Sequence, residues 1–86
     1  MKTFDDLTFK SAGFGRSIQA IIMFENEYGI SVVQGDHTYG GSIGLYEIAV
    51  LDKEGRLNYD TPITNDVIGY LTEPEVSDYM IKIQKL

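Results

Sequence analysis

The chain contains no cysteine and no tryptophan, a single histidine, and only seven lysines and arginines. Each shortage excludes something. A small secreted domain ordinarily needs disulfides, so the lack of cysteine points to a reducing compartment. Met1–Asp6 places two acids where the apolar core of a secretion signal would begin, so no such signal is expected. The longest uncharged apolar run, Ile18 to Phe24, is far short of the roughly 20 residues that cross a bilayer, and no membrane contact is expected. The basic residues Lys2, Lys10, Arg16, Lys53, Arg56, Lys82 and Lys85 are scattered, against 13 acids and a net charge of −6. Counterion release needs clustered cations, so direct nucleic-acid binding is not expected. A zinc site would have to combine His37 with carboxylates such as Asp36. An exposed loop histidine is the simpler reading, and neither a metal nor a cofactor is assigned.

What is present reads as one α+β domain over 1–86, with 43% apolar residues. So short a chain buries roughly 60–65% of its unfolded surface and has a thin stability margin. Residues 1–15 form a weakly patterned lead-in, pinned by Phe4, Leu7 and Phe9, with a turn at Gly13-Phe14-Gly15. A β-meander is expected over 16–60. Arg16–Glu25 alternates as a first strand, and Glu25–Gly29 forms a hairpin connection with Asn26 and Gly29 available for positive φ. Ile30–Gln34 and Leu45–Leu51 supply two more strands. The turn Asp52-Lys53-Glu54-Gly55 leads into a fourth, Arg56–Tyr59.

Residues 61–86 change period. Thr64 or Asn65 is expected to cap one helical turn through Ile68. Thr72-Glu73-Pro74-Glu75 is the strongest local signal, a capping box with proline in the first turn. Val76, Tyr79, Met80, Ile83 and Leu86 then share one apolar stripe. The expected architecture is a four-stranded antiparallel meander packed by a C-terminal amphipathic helix. If Ile18, Ala20, Ile22 and Phe24 face that helix, Ile21, Met23 and some of Val33, Ile48 and Val50 face away. Either the lead-in or another chain then covers this second face.

Four of the nine glycines fall within Gly35–Gly44, between two strands. Long connections inside small domains are commonly functional or mobile. Asp36, His37, Tyr39, Gly40, Gly41 and Ser42 are the candidate contact residues, with Tyr39 as an anchor for a protein partner. The alternatives are a plain hairpin connection or a backbone cradle for a nucleotide phosphate. The glycine spacing fits neither a P-loop nor a dinucleotide fingerprint. No nucleophile elbow surrounds Ser42 and nothing pairs two carboxylates, so the chain is not read as an enzyme. A DNA mimic would need the acids on one surface, whereas they alternate with Lys53, Arg56 and Lys82.

Tyr28–Val33, Tyr39-Gly40-Gly41, Gly44–Leu51 and Tyr59–Leu71 together resemble a group of short proteins encoded by bacteriophages and prophages, over about residues 22–86. The resemblance carries no catalytic residues. It implies a phage accessory protein in the cytoplasm of the infected bacterial host. Such a protein would bind a host, defence or phage protein, alone or as a homodimer. Anti-CRISPR inhibitors are one example of that context.

Overall fold

A computed structural model describes residues 1–13 and 15–86; the middle of the expected Gly13-Phe14-Gly15 turn lies outside them. Among the described residues the chain forms one antiparallel sheet of five strands and one α-helix. The strands are β1 (Lys10–Ser11), β2 (Ile18–Met23), β3 (Gly29–Gln34), β4 (Tyr46–Leu51) and β5 (Ile68–Leu71), lying side by side in chain order. The helix α1 is Glu73–Gln84. The α+β class and the meander hold, but the strand count does not.

Two expectations are corrected by β5. Ile68 is not the end of a helical turn: it starts a strand, with Ile68 opposite Ile48 and Leu71 opposite Tyr46. Arg56–Tyr59 is not a strand but a single bridge between Leu51 and Leu57. One edge of β4 serves both, and β5 supplies the apolar side chains that meet the core. Leu57 and Tyr59 stay exposed. The β2–β3 connection also differs in detail, since its positive φ falls on Glu27 rather than Asn26 or Gly29. Asn26 instead accepts from the Tyr28 N–H at 3.2 Å and donates to the Ile83 carbonyl at 2.8 Å, tying the hairpin to the helix end.

Register decides the faces. Ala20 lies opposite Val32, and Ile22 opposite Ile30. Ile30 in turn faces Val50, and Val32 faces Ile48. Side chains on opposed residues share a face, so Ile48 and Val50 point toward the helix, not away from it. They join Phe24, Ile30, Val32, Leu71, Val76, Met80 and Ile83 in one buried cluster. Each large member contributes about 1.5–3 kcal/mol by leaving water.

The lead-in lies on this same side. The Phe4 N–H donates to Ser77 Oγ at 3.0 Å, and Gln84 clasps the Lys2 backbone at 2.9 and 2.7 Å. Phe4, Phe9 and Tyr46 form an aromatic group with centroids 5.1–5.7 Å apart. Burial and then the nearby Glu73 charge raise the Tyr46 hydroxyl pKa above its ordinary value, against an opposing hydrogen bond from Gln34. Among the described residues the lead-in therefore packs on the helix side rather than over the second sheet face. That face carries Gln19, Ile21, Met23, Ser31, Val33, Glu47, Ala49 and Leu51, of which Ser31, Ala49 and Leu51 are buried.

The helix start is built as its sequence implies. The Glu75 N–H donates to Thr72 Oγ1 at 3.4 Å, while Glu75 Oε1 accepts from the Thr72 N–H at 3.0 Å. Val76, Met80 and Ile83 are buried, and Tyr79 packs beside them. Leu86 lies past the helix and is exposed. Thr72→Ala lowers stability by about 1 kcal/mol, or about 4–8 °C in Tm by calorimetry.

The hydrogen bonds from the Thr72 backbone and then its hydroxyl hold the Glu75 carboxyl below its ordinary pKa. A depressed folded-state pKa adds stability above the unfolded value and loses it as pH falls through the folded one. Glu75→Gln keeps the capping geometry without the titration. Melting curves from about pH 6 to about pH 3 become shallower on the acid side for this variant.

Candidate functional site

The connection 35–44 is folded on itself rather than slack. Thr38 Oγ1 accepts from the Gly35 N–H at 3.0 Å and donates to the Gly35 carbonyl at 3.1 Å. A short 3₁₀ turn, Gly41–Ile43, follows, flanked by Gly40 at φ 86° and Gly44 at φ 81°. Left-handed φ of this kind suits glycine and strains other residues. The Gly40 carbonyl accepts from both Ile43 and Leu45, at 3.2 and 3.0 Å.

The folded loop is then fastened to the sheet at Tyr39. Its N–H donates to Glu47 Oε1 at 2.9 Å, and its carbonyl accepts from the Tyr70 N–H at 3.1 Å. Glycine makes this approach feasible from both sides. A Cβ on Gly69 would collide with the Tyr39 side chain, and one on Gly40 would sit 2.9 Å from the Tyr70 Cα. Across from Gly69 and Tyr70, β4 offers only Glu47, so β5 carries a bulge there. Tyr70 holds the left-handed region at φ 59°. Such strain in a bulky residue persists only where surroundings impose it, and it concentrates at working sites.

The result is a fixed backbone beneath exposed apolar side chains. Tyr39 is 59% exposed, Tyr70 61% and Ile43 69%. Of the six residues singled out in the sequence, Tyr39 and Gly40 are at this junction. Gly41 and Ser42 form the adjoining turn. Asp36 and His37 are exposed on the preceding bend, where Asp36 lies 3.9 Å from Arg16. Sequence reasoning did not join Tyr70, Gly69 and Glu47 to the loop, and it did not single out Ile43 within it. The glycine inside Ile68–Leu71 was the available signal, since a lone strand glycine often marks a bulge or a close backbone approach.

The arrangement bears on chemistry. The N–H groups of Gly35, Thr38, Tyr39, Gly41, Ile43, Gly44 and Leu45 are bonded within the protein. They are turned into the fold rather than toward an anion. Among the described residues no three His, Asp or Glu side chains converge on a common point, and no helix is long and apolar enough to cross a membrane. A hollow of about 790 Å³ lies at the other end of β3, lined by Lys2, Met23, Asn26 and Gln84 among others. Its amide side chains already bond to backbone, Asn26 to Ile83 and Gln84 to Lys2 and Met80. No protein-family model, curated protein or solved structure matches the chain.

Proposed function

We propose that the chain is a non-enzymatic binding module that docks on another protein through the Tyr39–Tyr70 junction and the loop beside it. One observation carries the reading: two tyrosines expose their side chains from backbones that are bonded to each other and to Glu47. Tyrosine is common at binding hot spots, and a contact surface ordered beforehand loses less entropy on association. The resemblance to phage and prophage proteins supplies the setting: an accessory protein in the cytoplasm of an infected bacterium, binding a host, defence or phage protein. The nucleotide-sponge reading has less support, because seven amides over residues 35–45, including those of Gly35 and Gly41, are already bonded within the protein. The DNA-mimic reading, with its anti-CRISPR parallel, has less support too, because the acids alternate with Lys53, Arg56 and Lys82 along the chain.

The test is quantitative capture from lysate of phage-infected bacteria, with wild-type chain, Tyr39→Ala and Tyr70→Ala as baits and mass spectrometry as readout. Both tyrosines are exposed, so both variants keep the wild-type melting curve within about 0.5 kcal/mol. Wild type retains a protein that each variant loses by tenfold or more, a difference of about 1.4 kcal/mol. An identical captured set on all three baits contradicts the reading.

A further inference from the structure

Charge is unevenly placed around the Tyr39–Tyr70 junction. Residues 17–52 and 57–81 supply the loop, β2 to β5 and most of α1. They contain ten of the 13 acids and no lysine or arginine. The fold then carries the cations away from the junction. Leu51 faces Gly29, so Lys53 and Arg56 follow β4 at the end of the sheet that holds the β2–β3 hairpin. The bonds from Asn26 to Ile83 and from Lys2 to Gln84 bring Lys82, Lys85 and Lys2 to that same end. Lys10 is in β1 and Arg16 precedes β2, at the edge of the sheet opposite β5.

Glu47 is the charge left at the junction. It is half-buried, and its Oε1 accepts from the Tyr39 N–H at 2.9 Å. Among the described residues its Oε2 takes no hydrogen bond. Glu47 is also in none of their ion pairs, which join Arg16 to Asp36 and Arg56 to Asp52 and Glu54. A carboxylate short of water and without a cation gains from a partner that brings one. The tyrosines are beside it, Tyr39 through its own amide and Tyr70 through the Tyr39 carbonyl. Tyr39 lies over Gly69, and Tyr70 lies over Gly40, with its Cδ1 3.1 Å from where a Gly40 Cβ would be. Aromatic faces attract cations within about 6 Å of the ring centre.

We propose that the protein docked here inserts an arginine, whose guanidinium donates to Glu47 Oε2 and lies against the tyrosine rings. This rests on the docking reading above and names what that surface recognises. A planar guanidinium bonds a carboxylate through its edge and stacks on an aromatic ring through its face, whereas the lysine ammonium is a point charge with no such face. Tyrosine and arginine are also the residue types enriched at paired hot spots. The arginine comes from another protein, because both arginines of this chain already lie against carboxylates of their own.

A displayed library of random short peptides, selected on the wild-type chain and rescreened on Tyr39→Ala and Tyr70→Ala, tests it. Binders that need the tyrosines carry arginine several-fold above its frequency in the library. In the tightest synthetic peptide, replacing that arginine by citrulline, its uncharged isostere, weakens binding at least about tenfold. Glu47→Gln weakens the same peptide at least about tenfold, while the Tyr39 amide keeps its slow exchange, since the glutamine oxygen still accepts from it. Tyrosine-dependent binders with no excess of arginine, an arginine that citrulline or lysine replaces without loss, or full binding to Glu47→Gln overturns the proposal and leaves the docking reading standing. A wild-type chain that sediments as a dimer, with Glu47→Gln a monomer, gives the site to a second copy and overturns it too. The lack of any tyrosine-dependent binder removes both the proposal and the reading beneath it.

Discussion

Met80→Asp leaves the chain unfolded at room temperature, seen as loss of the cooperative melt and collapse of amide dispersion in NMR spectra. Met80 is fully buried at the centre of the contact between α1 and the sheet, among Val76, Ile83 and the inward strand residues. Removing its side chain alone costs about 2–5 kcal/mol. An unpaired carboxylate in the same place adds several more or forces itself neutral. A chain of 86 residues has a total margin of about 4–13 kcal/mol at 0.05–0.15 per residue. Met80→Leu, which keeps volume and polarity, stays within about 1.5 kcal/mol of wild type. A normal melt for Met80→Asp would mean that α1 does not dock on the sheet.

Gly40→Val has the second-largest effect, about 2–4 kcal/mol, through two separate causes. Its φ of 86° disfavours any side chain, and a β-branched one most. Its Cβ would also stand 2.9 Å from the Tyr70 Cα and 3.0 Å from the Leu45 Cβ, so the loop must lift from β5. Denaturation measures the stability loss. Exchange at the Tyr39 and Tyr70 amides reports the lifting, and capture of the partner falls with it. Gly55→Ala is the control: Gly55 also has positive φ, 78°, but its Cβ would meet open space. Its cost is about 1–2 kcal/mol of backbone strain, with binding unchanged.

How much of this was legible depended on how local each decision was. The α1 start was written in Thr72, Pro74 and Glu75, whose bonds are made within one turn. β2, β3 and β4 were marked by alternation and apolar runs, and the loop by its glycines. β5 was not legible. Thr64, Asn65 and Asp66 use cap and turn chemistry, and Thr64 and Asp66 do bond locally. A strand follows only because β4 has a free edge beside Ile48, which is a tertiary fact. Leu57 and Tyr59 alternate like a strand but lose that edge to Ile68 and Leu71. The facing of Ile48 and Val50 depended on register across the loop, which no count within β4 supplies. Tyr39 was recognisable as an anchor. Its fastening to Glu47 and Tyr70 was not, since it joins residues 8 and 31 positions away.

Docking through Tyr39 and Tyr70 requires the 35–44 loop to be held in one shape before any partner arrives. Amide exchange on the free wild-type monomer measures that directly. The amides of Tyr39 and Tyr70 should exchange slowly, in the range of the sheet amides, while those of Asp36 and His37 exchange quickly. Fast exchange at both tyrosines beside a protected β3 and β4 would show a loose connection, and a binding surface built on it could not stand.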